Sequence, residues 1–282
     1  MANESSATRR RTRVSVAGWY LLLTGLSLII LFPVWMTIVR ALSEPFIYIE
    51  EGQPLYPVSI DWGVFSTAWS DGDLGRSMAL TLLVTAIITV FQLVTSVLAA
   101  YSFAFVRFPF KNTLFILLLA SLLLPVEVTL IANVRTIREL GWLDSAQGLS
   151  APFLASAFGI FLIRQGFLGV PSELRDAARI DGFGHFAFLR RVAIPVNRPI
   201  IASLTLITAL AAWNQYLWPR TATTQERWET IQVTLRSISV QRPERFNVGV
   251  AAAIIASLPI LALLVVFQRQ IIRGLTAGAV KG

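Results

Sequence analysis

Few side chains in this 282-residue sequence are suited to covalent or metal chemistry. There is no cysteine, which excludes disulfides, thiolate nucleophiles and thiolate metal ligands. The only histidine is His185, which excludes a multi-histidine metal site within the chain. No glycine is followed by lysine, so the G-x4-G-K-[S/T] phosphate-binding loop is absent. We therefore expect no catalytic residue, no metal and no cofactor here, and we look for residues that bind partners or solutes.

A short charged segment, SELRDAARIDG, is the best candidate for binding a partner. Ser172 follows a proline and predicts a helix N-cap, while Gly182 predicts the helix end. Glu173 and Asp176 suit the positive end of the helix dipole. One face of the helix carries mostly small residues, Leu174, Ala177, Ala178 and Asp181. That face would let another surface approach closely, although a solvated amphipathic loop is the alternative on composition alone.

Glu127 is an acid inside an apolar run, two residues after Pro125. A charge at the bilayer centre costs a few kcal/mol, and such residues usually face a cavity or the interior of a helix bundle. A pathway residue is one interpretation. The other is a structural acid that pairs with a neighbouring span or reaches the outer surface.

A polar and aromatic cluster, WNQYLWP, follows a later apolar run. Asn214 and Gln215 offer amide donors and acceptors, and Trp213 and Tyr216 offer aromatic faces for a polyol or sugar. These four residues are therefore pathway candidates, while Trp218 is assigned to an interfacial aromatic belt. Weaker candidates on the second apolar run, Gln92 and Thr95, are also typical of polar contacts between helices.

Long apolar runs must position these residues. The chain is 55% hydrophobic and 14% charged, with a mean hydropathy of +0.66, whereas soluble domains carry about a quarter charged residues. Six runs approach or exceed the ~20 residues of a spanning helix, namely 14–39, 77–106, 112–134, 147–167, 199–219 and 246–268. We predict an all-α polytopic membrane protein with six transmembrane helices. Its predicted parts are a basic N-terminus (1–13), a transmembrane domain (14–272) containing a charged loop (170–198), and a tail (273–282).

The distribution of positive charge predicts the orientation. Most lysines and arginines fall in segments that would be cytoplasmic if both termini are inside. The net charge of +8 is therefore better explained by topology than by nucleic-acid binding. The run 14–39 exceeds the apolar core of about 7–15 residues in a signal peptide and no A-x-A-like site follows it, so we expect an uncleaved first helix.

Two features on the predicted outer side stay open. The acidic segment 41–75 predicts a partly ordered cap or an interfacial helix. Five arginines oppose the charge bias, and they suit either an acidic partner or a solvated loop; they are Arg220, Arg227, Arg236, Arg242 and Arg245. On the inner side, His185 follows the charged helix and is more typical of a solvated or interface histidine than of a pH switch.

The charged segment resembles the cytoplasmic "EAA" signature of ABC importer permeases, acid-Ala-Ala-x3-Gly-x9-Ile-x-Leu-Pro. The matching residues are Asp176, Ala177, Ala178 and Gly182, followed by Val192-Ala193-Ile194-Pro195. Asp176 replaces glutamate, Val192 replaces isoleucine and Ile194 replaces leucine. The resemblance implies the type I importer permease (MetI-like) fold, with this helix docking on a separate ATPase subunit. It implies coupling residues at Glu173, Asp176, Ala177, Ala178, Gly182 and Pro195.

Further stretches resemble the carbohydrate-type branch of that family. LLPVEV, FLIRQ, WNQYLWP and the tail QRQIIRGLTAGAVKG are most similar to membrane subunits for sn-glycerol-3-phosphate uptake. The resemblance implies a solute such as glycerol-3-phosphate, a glycerophosphodiester or a di- or oligosaccharide. It also implies a second permease subunit, two ATPase subunits that bind the ATP, an external solute-binding protein and the cell inner membrane. An ion-driven secondary transporter and a structural membrane protein are the alternatives.

Overall fold

The computed structural model describes residues 2–279, with side chains at 18–125 and 127–268, and all regular secondary structure in that part is helical. The α-helices are α1 (Ala2–Leu42), α2 (Pro45–Glu50), α3 (Val64–Asp71), α4 (Leu74–Phe105), α5 (Lys111–Ala120), α6 (Val126–Glu139), α7 (Ala146–Ser150), α8 (Ala157–Leu168), α9 (Ser172–Ile180), α10 (His185–Phe188), α11 (Ile194–Val196), α12 (Arg198–Trp213), α13 (Leu217–Ala222), α14 (Ile231–Gln241) and α15 (Phe246–Ala279). Short 3-10 turns cover Ser121–Leu123, Ala151–Phe153, Glu226–Trp228 and Pro243–Arg245, and a π-helical segment covers Leu189–Ala193.

Three helical segments, Gly18–Leu42, Leu74–Phe105 and Pro243–Gln268, are long and apolar enough to cross a membrane. The other three predicted spans, at 112–134, 147–167 and 199–219, differ from the predicted continuous helices because each is broken. The first two consist of Lys111–Leu123 with Glu127–Glu139 and of Ala146–Phe153 with Ala157–Leu168. The third region bends before residue 199, between His185–Val196 and Arg198–Trp213, and its long helix ends at Trp213 instead of at residue 219. If each bent pair is one span, the described residues contain up to six spans.

The breaks have local causes. Pro125 is extended (φ −59°, ψ 137°) and lacks an N–H group, so the helix before it stops and α6 starts after it. Ser156 is also extended, and its hydroxyl accepts from the Gly159 amide at 3.1 Å, which caps α8. A single proline or a single capping serine inside an apolar run is therefore enough to end one helix and start another.

The chain divides into two compact units, of which the first comprises residues up to Asp71 and Ile238–Ile255. Its small core contains Val39, Tyr48 and Val58, packed with Phe246. Glu44 caps α2 by accepting from the Ile47 amide at 2.8 Å. The portion of the acidic segment in this unit is thus ordered and forms two helices, α2 and α3.

The second unit comprises Gly72–Ser237 and the residues from Ala256 onward. In it, α4 packs against α8 and α12. The approach of α8 is close because it presents glycine: a Cβ on Gly159 would lie 2.4 Å from the Ser96 hydroxyl oxygen. Polar contacts also join these helices, since the Thr208 hydroxyl donates to Gln92 Oε1 at 2.6 Å. This packing positions the charged loop that follows α8.

Candidate functional site

The helix α9 carries the charged motif, and its first turn differs in one detail from the sequence prediction. The helix starts after Pro171, which has extended dihedral angles, and no side chain caps it. The hydroxyl of Ser172 donates to its neighbour Glu173 at 3.4 Å, so the predicted N-cap at Ser172 is wrong. Glu173 lies in the first turn, where the helix dipole favours its charge.

The end of α9 is fixed by Gly182, as the sequence predicts. This glycine has φ +74°, a left-handed conformation that disfavours a Cβ. The amide of Gly182 donates to the Arg179 carbonyl at 3.0 Å, and the amide of Phe183 donates to the Ala178 carbonyl at 2.8 Å. Together the two bonds form a Schellman motif, which satisfies carbonyl groups at the helix end and sets the direction of the chain beyond it.

The two alanines of the motif lie in different environments, contrary to the single flat face that the sequence predicts. Ala178 is buried, with 5% exposure, and belongs to a core of this chain. Ala177 is exposed, as are Leu174 and Asp181. Ala178 therefore attaches α9 to the rest of the molecule, and Ala177 remains on the surface that a partner could contact.

An aromatic cluster lies beneath α9 and contains Tyr101 and Phe105 from α4, Phe167 from α8 and Phe188 from α10. The Tyr101 and Phe167 rings meet edge to face at 6.4 Å, and the Phe105 and Phe188 rings at 5.3 Å. Such pairs add about 0.5–1.5 kcal/mol each to the burial term. Ala178 packs in the same core, so α9 is tied to the ends of two long helices.

The chain continues from this cluster into α12. Phe188, Leu189 and Ala193 are buried in succession, and Pro195 lies within the short helix α11, after the π-helical segment. Although proline often ends a helix, Pro195 lies within one; the bend comes at Asn197, whose side-chain amide donates to the Ala193 carbonyl at 2.9 Å. The angle across this bend is 80°. A single packed path therefore links α9 to α12.

Two cations bind the carbonyl end of α4 beside the cluster. Lys111 Nζ donates to the Val106 carbonyl at 3.0 Å. Arg164 Nε donates to the Phe103 carbonyl at 3.2 Å, and its guanidinium lies 4.1 Å from the centre of the Phe115 ring. Positive groups suit the negative end of a helix. In the sequence these two residues contribute only to the charge bias, because their contacts with α4 and Phe115 form on folding.

The cluster WNQYLWP lies at the end of α12, and its members divide by burial. Trp213 is 2% exposed, so its ring packs inside the chain instead of facing a pathway. Asn214 is exposed; its Nδ2 donates to the Leu210 carbonyl and its Oδ1 accepts from Gln232 at 3.4 Å. Tyr216 is 40% exposed. Gln215 Oε1 is buried and has no hydrogen-bond partner among the described atoms.

Trp218 is not part of an interfacial belt. It is 4% exposed, and its indole N–H donates to the Gly148 and Leu149 carbonyls at 3.2 and 3.1 Å. The weaker candidates on α4 also make helix–helix contacts: Gln92 Nε2 donates to the Phe153 carbonyl, and Thr95 to the Leu154 carbonyl. These contacts agree with their structural interpretation.

Glu127 does not lie in the middle of a continuous helix. It lies in the first turn of α6, directly after the break at Pro125, and it is exposed on this chain. The amide end of α6 favours its negative charge. The break therefore lowers the free-energy cost expected for a charged Glu127 within an apolar run.

The loop after α13 is held by Asp144. Its carboxylate accepts from the Thr224 amide at 2.7 Å and from the Gln225 amide at 3.1 Å. Burial alone would raise the pKa of Asp144. The hydrogen bonds from Thr224 and Gln225, together with the charge of Arg227, outweigh burial and hold the pKa below its ordinary value of 3.8. Part of the arginine-rich segment thus has an ordered anchor.

Comparison with known proteins matches residues 92–277 to the family described as "Binding-protein-dependent transport system inner membrane component". The chain is 34% identical over 275 residues to the sn-glycerol-3-phosphate transport system permease protein UgpE of Rhizobium meliloti, covering 94% of this chain and 97% of that protein. It is 35% identical over 256 residues to UgpE of Yersinia enterocolitica, covering 88% and 91%.

Solved structures share the fold. A bacterial ABC transporter involved in the import of the acidic polysaccharide alginate matches with a TM-score of 0.77 at 24% identity, covering 91% of this chain and 96% of that chain. The alginate transporter in complex with an alginate pentasaccharide-bound periplasmic protein matches with a TM-score of 0.63 at 15% identity, covering 92% and 97%. The predicted all-α importer-permease fold is confirmed.

Proposed function

The chain belongs to the family of binding-protein-dependent transport system inner membrane components, and from that premise we propose that it forms one half of a heterodimeric permease for glycerol-3-phosphate. Two separate ATPase subunits supply the energy, and an external binding protein delivers the solute. This family is not one of enzymes, and membership favours an importer over an ion-driven transporter or a structural protein. The termini are proposed to be cytoplasmic, with spans formed by α1, α4, α15 and the three bent pairs.

The coupling proposal is carried by one observation, the opposite environments of Ala177 and Ala178. Ala178 is anchored in the aromatic cluster with the ends of α4 and α8, whereas Ala177 is free to meet an ATPase surface. Because interiors are close-packed, a push on α9 is passed to these helices as a rigid-body displacement. ATP-driven closure of the partner subunits would then move the spans between inward-open and outward-open states. Glu173, Asp176, Gly182 and Pro195 complete the proposed coupling set.

The coupling proposal is tested by capture of the ATPase subunits on the tagged permease. We expect Ala177→Arg to abolish capture and uptake while the melting midpoint in detergent stays unchanged, because the side chain is exposed. The matched control is Thr136→Arg, which also adds an arginine at an exposed helical position. Normal capture by Ala177→Arg would contradict the docking role of this face.

The solute proposal rests on the named relatives and on the polar end of α12. The buried Gln215 Oε1, which has no partner among the described side chains, is an acceptor that a glycerol hydroxyl could use, and the exposed Asn214 and Tyr216 are its neighbours in the sequence. Cations of the described spans, such as Lys111 and Arg164, lie towards helix ends. Recognition of the phosphate is therefore assigned to the binding protein or to the partner permease. Trp213 is proposed to support this region from within the core.

Uptake by the reconstituted complex tests the solute. We expect glycerol-3-phosphate to be taken up in preference to a glycerophosphodiester or maltose. Gln215→Leu is expected to raise the half-saturating concentration about tenfold, the value of one hydrogen bond of about 1.4 kcal/mol. Gln147→Leu, at an exposed position on α7, is the control. Preferential uptake of a disaccharide would refute the solute but leave the coupling proposal standing. The role of Glu127 is tested alongside with Glu127→Gln, for which unchanged uptake would assign this acid to structure.

A further inference from the structure

A cavity of about 190 Å³ opens between α9 and the end of α4. A single water needs about 10–15 Å³ of such space, so the cavity can hold a ligand of several non-hydrogen atoms. Its lining comes from α4, α9, the turn after α9 and α10; the lining residues are Tyr101, Phe105, Arg175, Ala178, Arg179, Phe183, Gly184, His185 and Phe188. Of its lining residues only Ala178 belongs to the proposed coupling set, and none belongs to the proposed solute pathway.

The polar groups of the lining suit an anion. Arg175 and Arg179 contribute guanidinium groups from adjacent turns of α9, and no carboxylate is among the lining residues. The nearest acid partner is Asp176, 3.8 Å from Arg179, and both side chains are mostly exposed, so this pair is weak. Arginine presents paired N–H donors that match phosphate and carboxylate oxygens.

The floor of the cavity adds oriented donors. The Tyr101 hydroxyl lies 2.9 Å from His185 Nδ1, and the two rings meet edge to face at 5.9 Å. When the tyrosine donates to Nδ1, a neutral imidazole carries its hydrogen on Nε2, where it can donate to a ligand. The hydrogen bond thus fixes the histidine ring as part of the lining.

The remaining walls are aromatic. Phe105 and Phe188 belong to the packed cluster. Phe183 is half-buried and carries the guanidinium of a further arginine, Arg191, 5.2 Å from its ring centre. A ligand that carries a flat or apolar group next to its charge would therefore contact the aromatic walls with one part and the arginines with the other.

We propose that this cavity is a binding site for a small phosphate monoester that carries an apolar or aromatic group. The phosphate lies against Arg175, Arg179 and His185, and the organic group lies against Phe105, Phe183 and Phe188. The binding step stands on the geometry of this chain alone, whereas an effect on transport rests on the proposed function. Such an effect is expected because the ligand would bridge α9 and α4, and a ligand that prefers one of two arrangements shifts their populations.

Isothermal titration of the full-length permease in detergent micelles tests the proposal, with phenyl phosphate as the probe. Phenol and inorganic phosphate report the two halves of the ligand separately. We expect saturable binding of phenyl phosphate that is tighter than that of either fragment. The double variant Arg175→Gln/Arg179→Gln is expected to weaken binding at least about tenfold, since charge-assisted hydrogen bonds are lost.

The control Arg135→Gln removes one arginine charge, where the double variant removes two, from an exposed position on α6 that does not line the cavity. It is expected to change binding by less than about twofold, because surface charges act weakly at a distance. Tyr101→Phe keeps the ring and removes the hydroxyl, and it is expected to weaken binding several-fold. The arginine variants should melt as the parent does because these side chains are exposed, whereas Tyr101→Phe loses a part-buried hydrogen bond and should melt slightly lower; the same samples report both.

Three results would overturn the site. If phenol binds as tightly as phenyl phosphate, the cavity binds apolar groups but has no phosphate site. If Arg135→Gln loses as much affinity for phenyl phosphate as the double variant does, the binding reflects general charge attraction and not this cavity. Absence of saturable binding, together with loss of ATPase capture by the Arg175→Gln/Arg179→Gln variant, would assign these arginines to the protein partner. The capture assay with Ala177→Arg is independent of this titration, so failure of the site and failure of the coupling proposal are distinguishable.

Discussion

Replacing Gly182 isolates one property of the proposed docking helix α9, the left-handed turn that ends it. A Cβ at this position would meet nothing within 4 Å, so any effect of a substitution comes from the backbone angle (φ +74°) and not from a clash. Holding alanine in the left-handed region costs about 1–2 kcal/mol, asparagine costs less, and a β-branched residue costs more. We therefore expect the Schellman turn to weaken in the order Gly, Asn, Ala, Val.

The affinity of the permease for the ATPase subunits reports this conformational penalty. If docking requires the intact turn, a cost of 1–2 kcal/mol weakens association by up to about 5- to 30-fold for Gly182→Ala. Gly182→Asn should remain within a few-fold of the parent, and Gly182→Val should show the largest loss. Dissociation constants are measured on purified permease in nanodiscs, where the melting midpoint is recorded in parallel.

The order of the affinities tests the role of the backbone angle, because all three variants add a side chain to the same open space. Equal affinities for all four proteins would show that the turn does not position α9 for its partner. A weaker affinity for asparagine than for alanine would show that the added side chain, and not the backbone, is responsible. Aspartate shares the local hydrogen-bonding ability of asparagine, so Gly182→Asp is expected to be milder than Gly182→Val.

Further predictions concern the stability of the permease in detergent. Ala178→Leu should lower the free energy of unfolding by about 1–3 kcal/mol through overpacking, while Ala177→Leu should change it by less than about 0.5 kcal/mol; equal effects would contradict their different burial. Gly159→Ala should cost about 1–3 kcal/mol because its Cβ meets the Ser96 hydroxyl, and Ser96→Ala in the same protein should restore part of the loss. For Asp144 the folded-state pKa is lowered, so its stabilisation is present above pH 3.8 and is lost as pH falls through the folded pKa. Asp144→Asn should therefore lower the melting midpoint at pH 7 and flatten its fall below pH 3.8; an identical acid response in both proteins would refute this account.

How far the sequence predicts the spans depends on what interrupts them. The charge-free run of α4 has no interruption, and its predicted bounds of 77–106 differ from the observed Leu74–Phe105 by a few residues. At Ser156, by contrast, one hydroxyl caps a new helix inside an apolar run. Hydropathy averages over a window and cannot register such a single hydrogen bond. A proline in an apolar run favours a kink, but the sequence does not reveal that α6 starts directly after Pro125 with Glu127 in its first turn.

In the candidate site, too, the sequence predicts local features but not the contacts between distant residues. The EAA-like spacing identifies α9 and its stop at Gly182, because a motif and a left-handed glycine are local properties. The aromatic cluster under α9 joins residues from positions 101, 105, 167 and 188, and its members become neighbours only after the chain has folded. Tyr101 and Phe105, four residues apart near the end of α4, were the available signal, but the same spacing is typical of a lipid-facing helix.

In the proposed coupling, the division between Ala177 and Ala178 is what lets a helix as short as α9 transmit force. A nine-residue helix is unstable alone in water, so its rigidity must come from its attachments. The buried Ala178 supplies one attachment, and the Schellman turn at Gly182 directs the chain back into the aromatic cluster through Phe183. A larger residue at 178 would lift α9 off this support, and a larger residue at 177 would keep a partner away. The same residue type therefore meets two different requirements at adjacent positions, one set by the fold of the permease and the other by its proposed ATPase.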